Sequence, residues 1–186
     1  QETFTTSTSF RGGGTTLLHT RRIGSSVSSR RDGPDLRSEL DFESADTRAP
    51  VDLLVAAKGV GQWRRSRWGA MTAIEDDTEL RLADGSGNAT ATGRDFGVLR
   101  WLHEDTSGGG RRALGWLGTV TDHPERRAIT QSIDGHYATF DNRWTVDGKL
   151  IASDIDDALV TSATGFGATI DAFHVPSCLL YTSPSP

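Results

Sequence analysis

The sequence predicts an all-β fold, an antiparallel sandwich or barrel-like sheet preceded by a loosely structured N-terminal segment, and three observations predict it. Turn-forming clusters of Asn, Asp and Gly recur at spacings of about 8 to 12 residues. β-Branched and aromatic residues fill the intervals between them. Between residues 51 and 152 no segment keeps a helical period for four turns.

Residues 1–50 are rich in Ser, Thr, Gly and Arg and are broken by Gly12-Gly13-Gly14 and Asp32-Gly33-Pro34. That composition suits a flexible linker or an exposed β-hairpin, with Thr3 to Phe10 and Thr15 to Ile23 as candidate strands. The β-rich domain spans 51–177. Val51 to Ala57, bounded by Gly59 and Gly61, reads as a buried strand. Trp63 to Ile74 follows, and Trp68 is expected in the core. Leu80 and Leu82 alternate with Glu79 and Arg81 ahead of the loop Asp84 to Asn88. Phe96 to Leu102 forms an apolar run closed by the Gly108 to Gly110 loop, and Leu114 to Val120 forms another, stopped by His123-Pro124. Tyr137 to Phe140, Arg143 to Val146 and Lys149 to Ala152 then read as three short strands, joined by turns at Asp141-Asn142 and Asp147-Gly148.

Of 186 residues, 35% are hydrophobic and 24% are charged, with a net charge of −5. No apolar run reaches the roughly 18 residues of a spanning helix, so no membrane-spanning segment is expected. The mild acidity argues against nucleic acid as a partner, because neutralising phosphates needs a clustered basic surface. Cys178 is the only cysteine, so no disulfide or cysteine cluster is expected, and redox compartment is not readable.

The aromatic and basic cluster Trp63-Arg64-Arg65-Ser66-Arg67-Trp68 suggests carbohydrate contact. Trp63 would stack on a sugar ring while Arg65 and Arg67, on the same face of a continuous strand, would bond its hydroxyls or carboxylates. His103-Glu104-Asp105 offers proton-transfer chemistry, but adjacent strand residues point to opposite faces and would not converge. The remaining histidines lack ligand spacing, so no metal site is expected. Asp84-Gly85-Ser86-Gly87-Asn88 reads as a turn, because it lacks the later bidentate Glu of a calcium loop. No phosphate-binding glycine loop and no nucleophile elbow is present.

Two stretches resemble known sequences. Cys178 to Pro186 is similar, residue for residue, to one reading frame of a sequencing adaptor, which implies that 178–186 is not part of the fold and that the chain is a piece of a larger one. Leu150 to Val160 resembles the first motif of haloacid-dehalogenase-type phosphatases: an apolar strand runs into Asp154-Ile155-Asp156. The resemblance implies Asp154 as nucleophile, Asp156 as general acid and base, and Mg²⁺ held by both. The family's usual Thr or Val is replaced by Ala158.

The expected function is a non-catalytic β-sandwich module of a larger extracellular or surface protein, binding carbohydrate and needing no cofactor. One alternative is an accessory β-domain fused to the start of an Asp-nucleophile phosphatase using Mg²⁺. Another is a structural domain of a virion or appendage.

Overall fold

The computed structural model describes residues 23–26, 48–158 and 162–175. The adaptor-like tail and most of the Ser/Thr/Gly/Arg-rich segment lie outside them. Nine strands form among the described residues: β1 (Leu53–Trp63), β2 (Ser66–Glu75), β3 (Thr78–Arg81), β4 (Asn88–Ala91), β5 (Asp95–Asp105), β6 (Arg111–His123), β7 (Arg126–Ala138), β8 (Trp144–Asp157) and β9 (Ala163–His174). Seven make one sheet in the order β1-β2-β5-β6-β7-β8-β9, every neighbour antiparallel. The hairpin β3-β4 stands apart, inserted between β2 and β5. The all-β antiparallel expectation holds, as one broad meander.

The turns explain the chain path. Arg64 takes φ 54° in a two-residue connection that pairs Trp63 with Ser66. Asn142 takes φ 51° at the predicted Asp141-Asn142 turn. The β5–β6 turn uses Gly108 and Gly109 at φ 88° and 82°, where side-chain-bearing residues are strained. Three turns are pinned by carboxylates. Ser86, Ser107 and Thr139 hydroxyls donate to Asp84, Asp105 and Asp141, each at 2.7 Å. These side-chain bonds hold the three carboxyls below their ordinary range.

Several expectations are corrected. β1 is an exposed edge strand running straight through Gly59 and Gly61. Gly61 lies under the Trp68 indole, where a Cβ would come within 2.3 Å of Cε2. Trp68 is 50% exposed and not core. Asp147-Gly148 is no turn: β8 continues through it, with Asp147 opposite His136 and Gly148 opposite Gly135. The Asp147 carboxylate is used in a 2.7 Å contact with His136 Nδ1, across the ladder.

Off the sheet, Leu80 of β3 and Ala91 of β4 cluster with Val51. Beside them, Arg94 forms a buried ion pair with Glu75, and Glu75 Oε1 also accepts the Gly24 amide at 2.9 Å. This clasp fixes the inserted hairpin and residues 23–26 to one end of the sheet. Hydrogen exchange tests the strand continuity: the Asp147 and Gly148 amides should exchange as slowly as their β8 neighbours. Exchange at the rate of an open turn would restore the three-strand reading.

Candidate functional site

Residues paired across a ladder share a face, so the registers sort every side chain of the sheet onto one of two faces. One face carries Trp68, Trp101, Trp116, Ile133 and Leu150 in a single register row crossing β2, β5, β6, β7 and β8. Neighbouring rows add Trp63, Leu99, Leu114, Tyr137, Val146, Phe166 and Ile170. Most of these are exposed, Phe166 at 95% and Ile170 at 79%. The opposite face holds every buried residue of the seven strands, among them the charged Glu75, Arg100, Asp134, Asp147 and Lys149 and an apolar cluster of Val98 and Leu117 with Met71 packed against it. Water-exposed sheets ordinarily bury the apolar face and expose the polar one. Here the exposed face carries the tryptophans, and the enclosed face carries ion pairs beside its small apolar cluster.

The apolar face is bounded by charges. On β5 it carries Asp95 and Asp105 at its ends, with Gly97, Leu99, Trp101 and His103 between. On β8 it runs from Trp144 through Val146, Gly148, Leu150 and Ala152 to Asp154, with no Asp, Glu, Lys or Arg before that end. Asp154 is level, through Ile129 and Val120, with Gly97, which still lies inside the β5 window. Trp144 lies two residues beyond Val146, which is level with Asp105. The uncharged window therefore slides along the registers from β5 to β8. Strands tilted against a common horizontal band produce such a slide.

The polar face is organised around a cluster at its centre. Arg100 of β5 reaches across β6 to Asp134 of β7 in a two-armed pair, with Nη2 to Oδ2 at 2.8 Å. Gly115 of β6 leaves the space: a Cβ there would stand 2.6 to 2.7 Å from both partners. Lys149 pairs in register with Asp134 and is 6% exposed. Burial pushes the Lys149 ammonium below its ordinary range, with Asp134 opposing and Arg100 reinforcing the shift. A lowered folded-state pKa costs stability while Lys149 is protonated, and the cost fades as pH rises toward the ordinary value of 10.5. Toward the β5–β6 turn, Arg67 and Arg111 both pair with Glu104, at 3.2 and 2.7 Å.

The residues singled out in the sequence are separated by this arrangement. Trp63 closes β1 on the apolar face and Arg67 lies on the polar face. Arg65 sits in the turn and pairs with Asp105 at 2.8 Å. The two-residue turn is the reason, since it reverses the alternation that a continuous strand would have kept. His103 and Glu104 diverge as expected, His103 meeting Ser66 Oγ at 3.0 Å. Asp154 and Asp156 share the apolar face within β8, paired with Ile129 and Arg127, and Asp156 accepts the Ser162 hydroxyl at 2.6 Å. β8 is antiparallel to both neighbours, unlike the parallel strand end implied by the phosphatase resemblance. Among the described residues no group of acidic, His or Cys side chains is arranged to hold a metal ion. The tryptophan row and the Arg100–Asp134–Lys149 cluster were missed in the sequence. Their signal is the direct adjacency of charge and bulk in Arg100-Trp101, Ile133-Asp134 and Lys149-Leu150.

Compared with known proteins, the chain matches no family model, no curated protein and no solved structure.

Gly115→Val should separate Arg100 from Asp134 and leave buried charge without its partner, costing about 3 kcal/mol or more. Urea unfolding reads this directly. A loss within about 0.5 kcal/mol would mean that the cluster does not hold the sheet.

Proposed function

We propose that the seven-stranded sheet is part of the wall of a membrane-embedded β-barrel, its apolar face toward lipid and its polar face lining the interior. The observation that carries the reading is the reversal of the two faces: large apolar side chains outward, ion pairs enclosed. Outer-membrane-type barrels have that alternation, with aromatic girdles flanking an apolar band. Strands of 10 to 14 residues in the sheet suffice to span it, since about 9 to 11 tilted residues are needed. On β1, β7 and β8 the uncharged windows run over Val55–Trp63, Ile129–Tyr137 and Trp144–Ala152. Each covers roughly 27 Å along the strand and roughly 20 Å after a tilt of about 40°, close to the band of about 25 Å in such barrels.

The described residues hold no helix long and apolar enough to cross a membrane, which leaves strands as the spanning elements of this reading. β1 and β9 each have one neighbour among the described residues, so the reading requires further strands beyond these seven. Neither edge carries a proline, and β9 carries no lysine or arginine, so the usual guards of a free edge are sparse. The barrel does not need a cofactor.

A second reading keeps the surface module that binds carbohydrate. It is favoured by the Trp68, Trp101 and Trp116 row, three neighbouring strands presenting indoles in one line, with Trp63 and Arg65 at its margin. Such a row suits the flat apolar face of a polysaccharide.

Leu99→Arg separates the readings. Leu99 is 54% exposed, so in a water-facing module the change should be neutral within about 0.5 kcal/mol. In a barrel wall it places a guanidinium near mid-band and should cost about 2 to 4 kcal/mol of stability in phospholipid vesicles. Thr119→Arg, on the polar face, is the control and should cost less. Equal and small effects in vesicles, with retention on insoluble polysaccharide, would favour the module.

A further inference from the structure

The two ends of the sheet differ in a way that the barrel reading alone does not require. All five tryptophans lie on the apolar face: Trp63 and Trp144 stand at the end that carries the β1–β2, β5–β6 and β7–β8 turns, and Trp68, Trp101 and Trp116 share the row just on that side of the middle of the band. Trp63 closes β1, Trp144 opens β8, and Tyr137 sits one residue from the end of β7. At the opposite end the same face ends in Val55, Ile74, Val120 and Ile129 before charged residues, Asp122 on β6 and Arg127 on β7 among them, without a tryptophan or tyrosine.

Charge divides the same way. In residues 64–67, 104–112 and 139–143, at the tryptophan end, six arginines stand against three acids. In residues 75–77, 94–95, 122–127 and 154–157, at the other end, nine acids stand against three arginines. Two arginines of the first end are seated on the aromatic belt. Arg64 lies over the Trp63 ring at 5.2 Å from its centroid, and Arg112 over the Tyr137 ring at 5.9 Å. Arg65, Arg67, Arg111 and Arg143 are engaged with Asp105, Glu104 and Asp141. Asp105 also faces Arg112 in register and tempers it.

We infer that the tryptophan end is a docking surface for the anionic phospholipid headgroups of one leaflet, contacted by Arg64 and Arg112 above the aromatic belt. The inference rests on the barrel reading, because the belt must lie at a membrane interface for the arginines to meet headgroups. Indole and phenol rings favour that interface, having one apolar and one polar edge. A guanidinium held flat over such a ring keeps its edges directed outward, where phosphate oxygens accept its fork of donors. The acid-rich end repels the same headgroups, so the charge division gives the sheet a preferred direction across an asymmetric bilayer.

The test uses the full chain with two vesicle compositions, phosphatidylcholine alone and phosphatidylcholine containing phosphatidylglycerol. Association is read by flotation and by the blue shift of tryptophan emission. The expected result is insertion into both, with stronger association when phosphatidylglycerol is present and a gain that falls as salt rises. Arg64→Gln and Arg112→Gln should each reduce the gain roughly fivefold while leaving insertion into phosphatidylcholine intact. Arg64→Lys and Arg112→Lys should keep most of it, and Arg127→Gln at the opposite end should not change it. A gain that survives the double Gln substitution, or no gain at all beside normal insertion, overturns the headgroup surface and leaves the barrel reading standing. Failure to insert into either vesicle overturns both.

Discussion

The antiparallel registers impose the constraint on which the rest of the structure depends: the strands must place their tryptophans on one face and their buried charges on the other, in step with their neighbours. A shift of one residue in any pairing would turn that strand's side chains to the wrong face. The Arg100–Asp134 pair guards against such a shift, because it spans β6 and fixes β5 against β7 in a single register. Gly115 beneath it is equally constrained, since any side chain there would occupy the space of the pair. On the other side of the same strands Trp101, Trp116 and Ile133 fall into one row as a consequence.

An enclosed polar cluster and an exposed apolar surface are each costly in water. Buried ion pairs lose hydration that their mutual attraction often does no more than offset, and a contiguous apolar face of this breadth invites association. Both costs fall when the surroundings are reversed. Lipid removes the penalty for exposed Trp, Leu and Phe side chains, and a polar barrel interior rehydrates the rims of the charge cluster. The displacement of the uncharged window between β5 and β8 is a second, geometric support, since strands tilted across a horizontal band displace it in this way.

Much of the fold was legible in the sequence because turns carry local chemistry. The Asp141-Asn142 turn, the Gly108–Gly110 turn, the stop at His123-Pro124 and the Asp84–Asn88 loop all fall where the residues place them. Asp147-Gly148 misleads because its dipeptide suits a turn equally well. What decides is the partner strand, where His136 waits for the Asp147 carboxylate. Gly59 and Gly61 mislead for a related reason: they accommodate the neighbouring strand's Trp68 rather than ending their own. The candidate surface was hidden because alternation within one strand shows that two faces differ but not which faces water. That needs the registers of several strands at once, and the Arg64-Arg65 turn reverses the face assignments across Trp63 to Trp68.

Site-directed spin labels placed singly along β7, from Ile129 to Tyr137, give the most direct measurement of which face meets lipid. With the chain in phospholipid vesicles, labels at Ile129, Gln131, Ile133, Gly135 and Tyr137 should be accessible to oxygen dissolved in the hydrocarbon. Labels at Thr130, Ser132, Asp134 and His136 should respond instead to a water-soluble paramagnetic reagent, giving a period of two residues. The opposite phase, or uniform access to the water-soluble reagent along the strand, would contradict the barrel wall.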